Sequence, residues 1–414
     1  MKNLRLLLVL TAIIATSNVN AQWQNTEAGA AVAVLCMATS GSNLYAGLNG
    51  EGVYLSKDGG TTWKTSKTGL TDKYVYSIAV NGTNIFAGTN AGVFLSTNNC
   101  STWTNVSSTL ANKMVRSLLY SGTNLFAGTY VVSNYGVFTT TNNGTSWTEA
   151  RTGLPPAHVT ALAVSGSNLF AGTSGSPSST NNGVFLSTDN GSLWVKKTTG
   201  MGNGVNVNAL AISGTMVLAG TDSGVYISSN NGTLWTKSNT GLPANTIVHG
   251  LTVYGNTIFA STSGTAGGVY SSNNNGATWS AFNQNLITRI NATAVNSTHI
   301  FACVNVHLTF GIWKRPIGEI IAVEKPIVNS ASDMRLEQNH PNPFTPTTSI
   351  SYLLPESQKG FLNIYSSNGT LIQSTKIYGN GTVKWNAENK AAGVYICKLI
   401  TDKNTLVRKM LLAK

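Results

Sequence analysis

Few residues in this chain are placed to do chemistry. The acids before Ala331 are Glu27, Glu51, Asp58, Asp72, Glu149, Asp189, Asp222, Glu319 and Glu324. Glycosidic hydrolysis needs two carboxyls flanking one bond, about 5–10 Å apart. Glu51, Asp72 and Asp222 are the acids such a reaction would draw on, with Glu51 and Asp72 as the closest pair. No Ser/His/Asp triad and no phosphate-binding loop can be recognised. The cysteines Cys36, Cys100, Cys303 and Cys397 form no CxxC and no metal-spaced cluster. No catalytic residue, metal or organic cofactor is therefore expected.

The elements that would position these side chains repeat. Asn-Leu-Tyr-Ala-Gly ends at Gly47, and close copies end at Gly88, Gly128 and Gly172. Weaker copies end at Gly220, Ser261 and Cys303, so the phrase occurs seven times at spacings of 40 to 48 residues. A second phrase, Ser56-Lys-Asp58-Gly-Gly60-Thr-Thr-Trp63, follows the first copy. Its echoes end at Trp103, Trp147, Trp194, Trp235 and Trp279. Each unit reads as four strands. In the second unit these are Val75 to Val80, Ile85 to Gly88, Val93 to Ser96 and Trp103 to Val106, with a tight turn at Asn81-Gly82. Four strands at a period near 40 match a propeller blade. The seventh unit stops after Trp313 without a fourth strand, and Gln22-Trp23-Gln24-Asn25 reads as a lone one. Pairing the two would seal the ring and leave no open sheet edge.

The second phrase resembles the Asp-box, or bacterial neuraminidase repeat, of sialidases and sortilin-like propellers. Asp58 and Asp189 keep the aspartate, while Asn98, Asn142, Asn230 and Asn274 replace it. A carboxylate or amide oxygen can accept hydrogen bonds from turn amides that the ladder leaves free. Glycine permits the positive φ of the turn. The tryptophan packs a large apolar surface at the blade's outer edge. The motif reads as structural. A sialidase-like activity would also need an arginine cluster. The arginines of the mature propeller are Arg116, Arg151, Arg289 and Arg315, without the N-terminal Arg-Ile-Pro phrase, so the pattern is not met. Seven-bladed glucan hydrolases share the repeat, and photosystem assembly factors carry a similar one without catalysis.

In such a blade, the turns between strands one and two share a face with the Asp-box turns. The two-to-three loops and blade-to-blade loops share the other, where the insertions Thr129–Tyr135 and Thr173–Asn182 fall. Variable loops on a rigid scaffold commonly carry binding. Aligning the start of strand one gives a ring: Leu35, Tyr76, Arg116, Thr160, Asn208, His249 and Asn291. Neighbouring positions are mostly Val or Ile, while this one is mostly polar and varied. Ligand contacts are expected here, foremost at Tyr76, Arg116 and His249. The alternative is a solvated channel rim with no specific ligand. Cys36 and Cys303 fall in adjoining first and last blades, open to a disulfide or to two buried small apolar side chains.

Composition fits this reading. Hydrophobic residues make up 42% and charged residues only 10%, with 42 glycines. That mix suits short strands and tight turns. Residues 1–21 read as a signal peptide, with Lys2 and Arg5 before the apolar run Leu6–Ala15 and cleavage after Ala21. No later stretch is long enough to span a membrane as a helix. The formal charge of +12 falls to +10 without Lys2 and Arg5. From Ala331 on, ten Lys/Arg against five Asp/Glu hold +5 of that, so the propeller's +5 is too thin for nucleic-acid binding.

A linker spans 318–333. Then comes Leu336-Glu-Gln338-Asn-His-Pro341-Asn342-Pro343-Phe344-Thr-Pro346. With Trp385, Gly393-Val394-Tyr395 and the tail Arg408-Lys409-Met410, it resembles a type A sorting domain of the type IX secretion system. Thr345 departs from the pattern, where Asn is common. The resemblance implies a small antiparallel β-sandwich over 334–414, recognised by outer-membrane type IX secretion machinery. Pro341, Asn342, Pro343, Phe344, Gly393, Tyr395 and Lys409 would carry the signal. The fold class expected is all-β, a seven-bladed propeller over 22–317 followed by that sandwich. The expected function is that of a monomeric, non-catalytic propeller, secreted or on the surface of a Gram-negative bacterium, that binds a protein or glycan. The competing expectation is a glycoside hydrolase acting on extracellular polysaccharide.

Overall fold

Each repeat encodes one antiparallel four-stranded sheet. In the second, the strands are Val75–Asn81, Asn84–Thr89, Gly92–Ser96 and the short Thr104–Asn105. Gly82 and Thr83 form the first turn, with Gly82 at φ +59°. The same glycine recurs at Gly41, Gly122, Gly166, Gly214 and Gly255. A two-residue hairpin whose first central residue has positive φ matches the right-handed strand twist. Strand two is buried along nearly its whole length. Ile85 and Ala87 face the preceding blade, while Phe86 faces the next. A strand covered on both sides has no polar face to show.

The structure, a computed structural model, describes residues 22–26, 32–130, 135–175, 180–264, 266–283, 286, 289–305, 310–317, 334–354, 359–366, 369–402 and 405–413. The expected signal peptide, the linker at 318–333 and the acids Glu27, Glu319 and Glu324 lie outside the described residues. The chain divides into two compact units, Met1–Ala322 and Val323–Lys414. Among the described residues, no helix is long and apolar enough to cross a membrane.

Among the described residues, unit one holds seven four-stranded sheets. Six take their strands in chain order. The seventh runs Gln24–Asn25, Gly311–Pro316, His299–Val304, Ile290–Val295, so the amino-terminal segment supplies its outer strand. Gln24 pairs with Lys314, and Asn25 with Trp313. First strands adjoin from blade to blade, and that of blade seven lies against that of blade one. Thr39 Oγ1 donates to Val295 O across this junction at 3.0 Å. The ring is closed.

The recurring Ser-x-Asp/Asn turns are built from side-chain oxygens. Asp58 Oδ1 accepts from the Thr61 and Thr62 amides at 3.0 and 2.9 Å, and Oδ2 from Thr62 Oγ1 at 2.6 Å. Ser56 Oγ accepts from the Gly60 amide at 2.8 Å. Asn98 does the same work through one oxygen, accepting from the Thr102 amide at 3.0 Å, while its amide nitrogen donates to Thr102 Oγ1 at 2.8 Å. The carboxyl of Asp58 sits well below the usual carboxylate range because Thr62 bonds its charged form.

The tryptophans that end these turns fasten blade to blade. Trp147, Trp194, Trp235 and Trp279 donate Nε1 to a carbonyl beside strand four of the preceding blade, at 2.8–2.9 Å. Trp103 donates to Ser66 Oγ instead, at 2.9 Å. Trp23 reproduces the contact for blade seven, donating to Phe282 O at 2.7 Å. Gln22–Asn25 thus replaces both the missing tryptophan and the missing strand.

The cysteines remain thiols. Cys36 and Cys303 do not join as a disulfide, because Cys36 Sγ is turned toward Val75 O of blade two at 3.7 Å. Burial pushes the Cys36 thiol up to about 12 and raises that of Cys303 as well.

Unit two is an antiparallel sandwich. One sheet orders Arg335–Leu336, Thr347–Leu353, Asn380–Asn386. The other orders Leu371–Tyr378, Lys359–Ser366, Gly393–Ile400, Thr405–Leu412. Trp385 is central, with Phe344 at 5.3 Å and Tyr395 at 5.0 Å between ring centroids.

After strand four, Thr-Gly turns press against the next blade's tryptophan. A Cβ on Gly200, at φ +92°, would stand 2.1 Å from Trp235 O. Gly200→Ala should therefore cost about 2–4 kcal/mol, combining backbone strain with the clash. Gly202→Ala, at φ +86° but with nothing within 4 Å, should cost about 1 kcal/mol. Denaturant unfolding of both variants checks the difference.

Candidate ligand cavity at the channel mouth

The first strand of every blade carries one β-bulge. The extra residues are Leu35, Tyr76 and Arg116 in blades one to three. They are Thr160, Asn208, His249 and Asn291 in blades four to seven. These are the seven ring residues read from the sequence. Bulges bend a strand and re-aim a side chain. Here the preceding Val34, Val75, Val115, Val159, Val207, Val248 and Ile290 stay buried between blades. All seven ring residues line one cavity of ≈ 230 Å³, completed by Arg289 and Asn305.

The ring residues divide by their partners. Thr160 Oγ1 donates to Val207 O. Asn208 Nδ2 donates to Val248 O at 3.2 Å, and Asn291 Nδ2 to Val34 O at 2.8 Å. Each acceptor is the carbonyl just before the next blade's bulge. These three side chains line the cavity and also tie the inner strands together. Ser77 Oγ makes the equivalent bond to Val115 O at 3.2 Å.

Tyr76, Arg116 and His249 make no such tie. The Arg116 guanidinium lies over Tyr76 at 5.1 Å and over Tyr130 at 5.3 Å. Tyr130 in turn stacks on His158 at 3.8 Å. His249 Nε2 meets Ser263 Oγ at 2.7 Å. Burial, then Arg289 and Arg116, lower the His249 pKa to about 4, against a smaller opposing pull from Asp222. The imidazole is neutral at pH 7, and the fixed cations of the cavity are Arg116 and Arg289.

The acids are placed elsewhere. Glu51 pairs with Lys67 at 3.1 Å in the open. Asp72 accepts from the Tyr74 amide at 3.0 Å. Neither lines the cavity. Asp222 stands at its edge, taking Asn206 Nδ2 and Asn208 Nδ2, both at 2.7 Å. Among the described residues, no group of three His, Cys, Asp or Glu side chains gathers to hold a metal.

Sequence reasoning missed Arg289, Asn305, Tyr130 and His158. Arg289 lies two residues before Asn291, and Arg289 Nε and Asn305 Nδ2 both reach Asn291 Oδ1, at 3.2 and 3.3 Å. A scan of the residues flanking the ring position would have found Arg289. Tyr130 opens the insertion of blade three. Residues 131–134 and 176–179 of the insertions lie outside the described residues.

In unit two, the first and last segments meet. Asn342 Oδ1 accepts from the Leu411 amide at 2.8 Å. Phe344 N donates to Leu411 O at 3.0 Å, and Ala413 N to Phe344 O at 2.9 Å. Gln338 Nε2 donates to Lys409 O at 2.7 Å. Pro341 O accepts from Asn339 Nδ2 at 3.0 Å, and the His340-Pro341 and Asn342-Pro343 bonds are both cis. Gly393, at φ +145°, starts the strand that carries Tyr395 and pairs with Leu412. The family described as secretion system C-terminal sorting domain matches residues 339–413. The chain carries that sorting domain.

Solved structures similar to the chain are β-propeller proteins. One is PorZ, described as an essential bacterial surface component of the type-IX secretion system of Porphyromonas gingivalis. It is 18% identical, with a TM-score of 0.55 over 92% of this chain and 59% of that one. The chain thus spans about three fifths of the PorZ length. YCF48 bound to D1 peptide is 14% identical, with a TM-score of 0.56 over 72% of this chain and 94% of that one. The GH74 xyloglucanase from Xanthomonas campestris is 13% identical, with a TM-score of 0.56 over 94% of this chain and 67% of that one. At these identities the likeness is one of fold. No curated protein matches the chain.

The state of His249 predicts an acid-side loss of stability. Its folded pKa lies below the unfolded value, so the unfolded chain binds more protons in between. Stability present above pH 6.5 should fall as the pH drops toward 4. His158, lowered by burial and by Arg116, adds in the same direction. His249→Asn should flatten the slope of unfolding free energy between those pH values, measured by denaturant titration.

Proposed function

We propose that this protein is an exported, non-catalytic propeller that holds a protein or glycan partner at its channel mouth. The signal peptide read over residues 1–21 would take it across the inner membrane. The sorting domain would then present it to outer-membrane type IX machinery for release or surface attachment. The mature chain acts as a monomer in this reading. One observation supports the binding role above others: seven bulges, one per blade, aim side chains of six different types into a single cavity. A purely structural ring would need no such variety. Three of the seven do tie blades, yet Tyr76, Arg116 and His249 face the cavity without that duty. The hydrolase reading has fold likeness behind it, while Glu51 and Asp72 lie outside the cavity lining.

Two measurements test this. Deleting residues 334–414 should leave the protein in the periplasm, read by fractionation; normal surface display would defeat the export reading. For binding, residues 22–414 are screened on glycan and peptide arrays, and a hit is re-measured with Leu35→Trp. Filling the cavity should weaken the hit at least tenfold while the thermal midpoint stays close to that of the parent. An unchanged affinity would move the partner elsewhere.

A further inference from the structure

The Arg116 and Arg289 guanidiniums are exposed within one cavity. The ion pairs among the described residues are Lys67–Glu51 and Arg151–Glu149, so neither arginine takes part in one. Arg116 is held by ring faces and Arg289 by the Asn291 amide oxygen. The nearby carboxylate, Asp222, already accepts from two asparagine amides. Two like charges sharing one concave space raise the local potential and favour an anion between them. A guanidinium also presents a planar fork that matches a carboxylate.

The remaining lining selects what carries that anion. Thr160, Asn305 and His249 offer donors and acceptors, the groups that recognise hydroxyls. Tyr76 lines the wall, and Tyr130, with its stack on His158, extends the aromatic surface beside Arg116. Such faces suit the apolar side of a pyranose ring. A cavity of ≈ 230 Å³ is small beside the ~300–1,000 Å³ of drug-sized pockets, and suits one sugar unit.

We infer that the cavity seats the carboxylate of an acidic sugar unit between Arg116 and Arg289, as the end or a branch of a glycan. This rests on the reading that the channel mouth is the binding site. A peptide carboxylate would find the same charges but would leave the hydroxyl-binding lining unused.

Calorimetry with residues 22–414 tests it. The probes are trisaccharides of glucuronate, galacturonate, mannuronate and guluronate, their neutral counterparts reduced at C6, a 6-sulfated neutral trisaccharide, and a hexaglutamate peptide. At least one uronate should bind ten times more tightly than its neutral counterpart, and more tightly than the sulfated sugar and the peptide. Arg116→Gln and Arg289→Gln should each weaken it tenfold or more. Arg116→Lys should recover part of that loss, and added salt should weaken binding in the parent. Equal binding of neutral and acidic sugars, blocked by Leu35→Trp, would overturn the acidic preference and leave the cavity reading standing. Uronate binding that survives Leu35→Trp would overturn both. Arginine-dependent binding of the peptide or the sulfated sugar without the uronates, or silence across the panel, would overturn the inference.

Discussion

Seven inner strands adjoin around the ring, and in five blades the glycine that ends the repeated phrase leaves no room for a side chain. A Cβ on Gly47 would stand 2.5 Å from Cys36 Sγ and 2.6 Å from Val75 O. On Gly128, Gly172 and Gly220 it would stand 2.6 Å or less from the next blade's valine or a facing side chain. The glycine that ends the repeated phrase is therefore a contact between blades. In the other two blades this position carries a small side chain. Ser261 pairs with Gly250, and Cys303 with Ala292. In blade six volume is exchanged across the strand pair, as close packing requires, while Cys303 faces an alanine as Gly172 and Gly220 do. Among the described residues, the carbonyl before the bulge meets a side chain from the neighbouring blade in five of the seven blades, and the bulge in turn directs the cavity side chains.

The rim is held by a different device. Each buried tryptophan replaces a large apolar area in water with a blade-to-blade contact, worth on the order of 2–3 kcal/mol before its hydrogen bond is counted. The junction between blades seven and one differs. Trp63, which follows the blade supplied in part by Gln24–Asn25, has no partner for Nε1 among the described residues. The chain closes its circle with a two-residue strand and Trp23, while six blades close by continuous chain.

Much of this was legible in the residues. Period and phrase fixed the blade count, because each blade must meet its neighbours in the same way. The strand limits in blade two agree within a residue at each end, strand four being the shorter Thr104–Asn105. The ring position was visible because a polar residue interrupts an apolar strand at the same place in six of the seven blades, Leu35 being the exception. Its bulge was not, since an extra residue leaves no mark in a strand read alone. Nor was the double duty of Thr160, Asn208 and Asn291, which depends on the next blade's carbonyl. Glu51 and Asp72 stay out of the cavity lining for a related reason. Topology brings two loops together, as the Gly50 and Gly52 amides on Lys73 O show, but local partners decide where each carboxylate goes.

Four of the recurring turns contain an Asn-Gly step: Asn143-Gly144, Asn190-Gly191, Asn231-Gly232 and Asn275-Gly276. In a loose chain this dipeptide ages by itself, as the glycine nitrogen attacks the asparagine amide and ammonia is lost. Here those asparagines are locked at φ +55° to +60°. Each glycine nitrogen is engaged by a hydroxyl of Thr140, Ser187, Ser228 or Ser272, at 2.8–3.1 Å. The glycine N–H that must be freed for the attack is occupied by a hydrogen bond. A protein that works outside the cell cannot be renewed in place, and this turn architecture slows its chemical clock for as long as the blades stay folded.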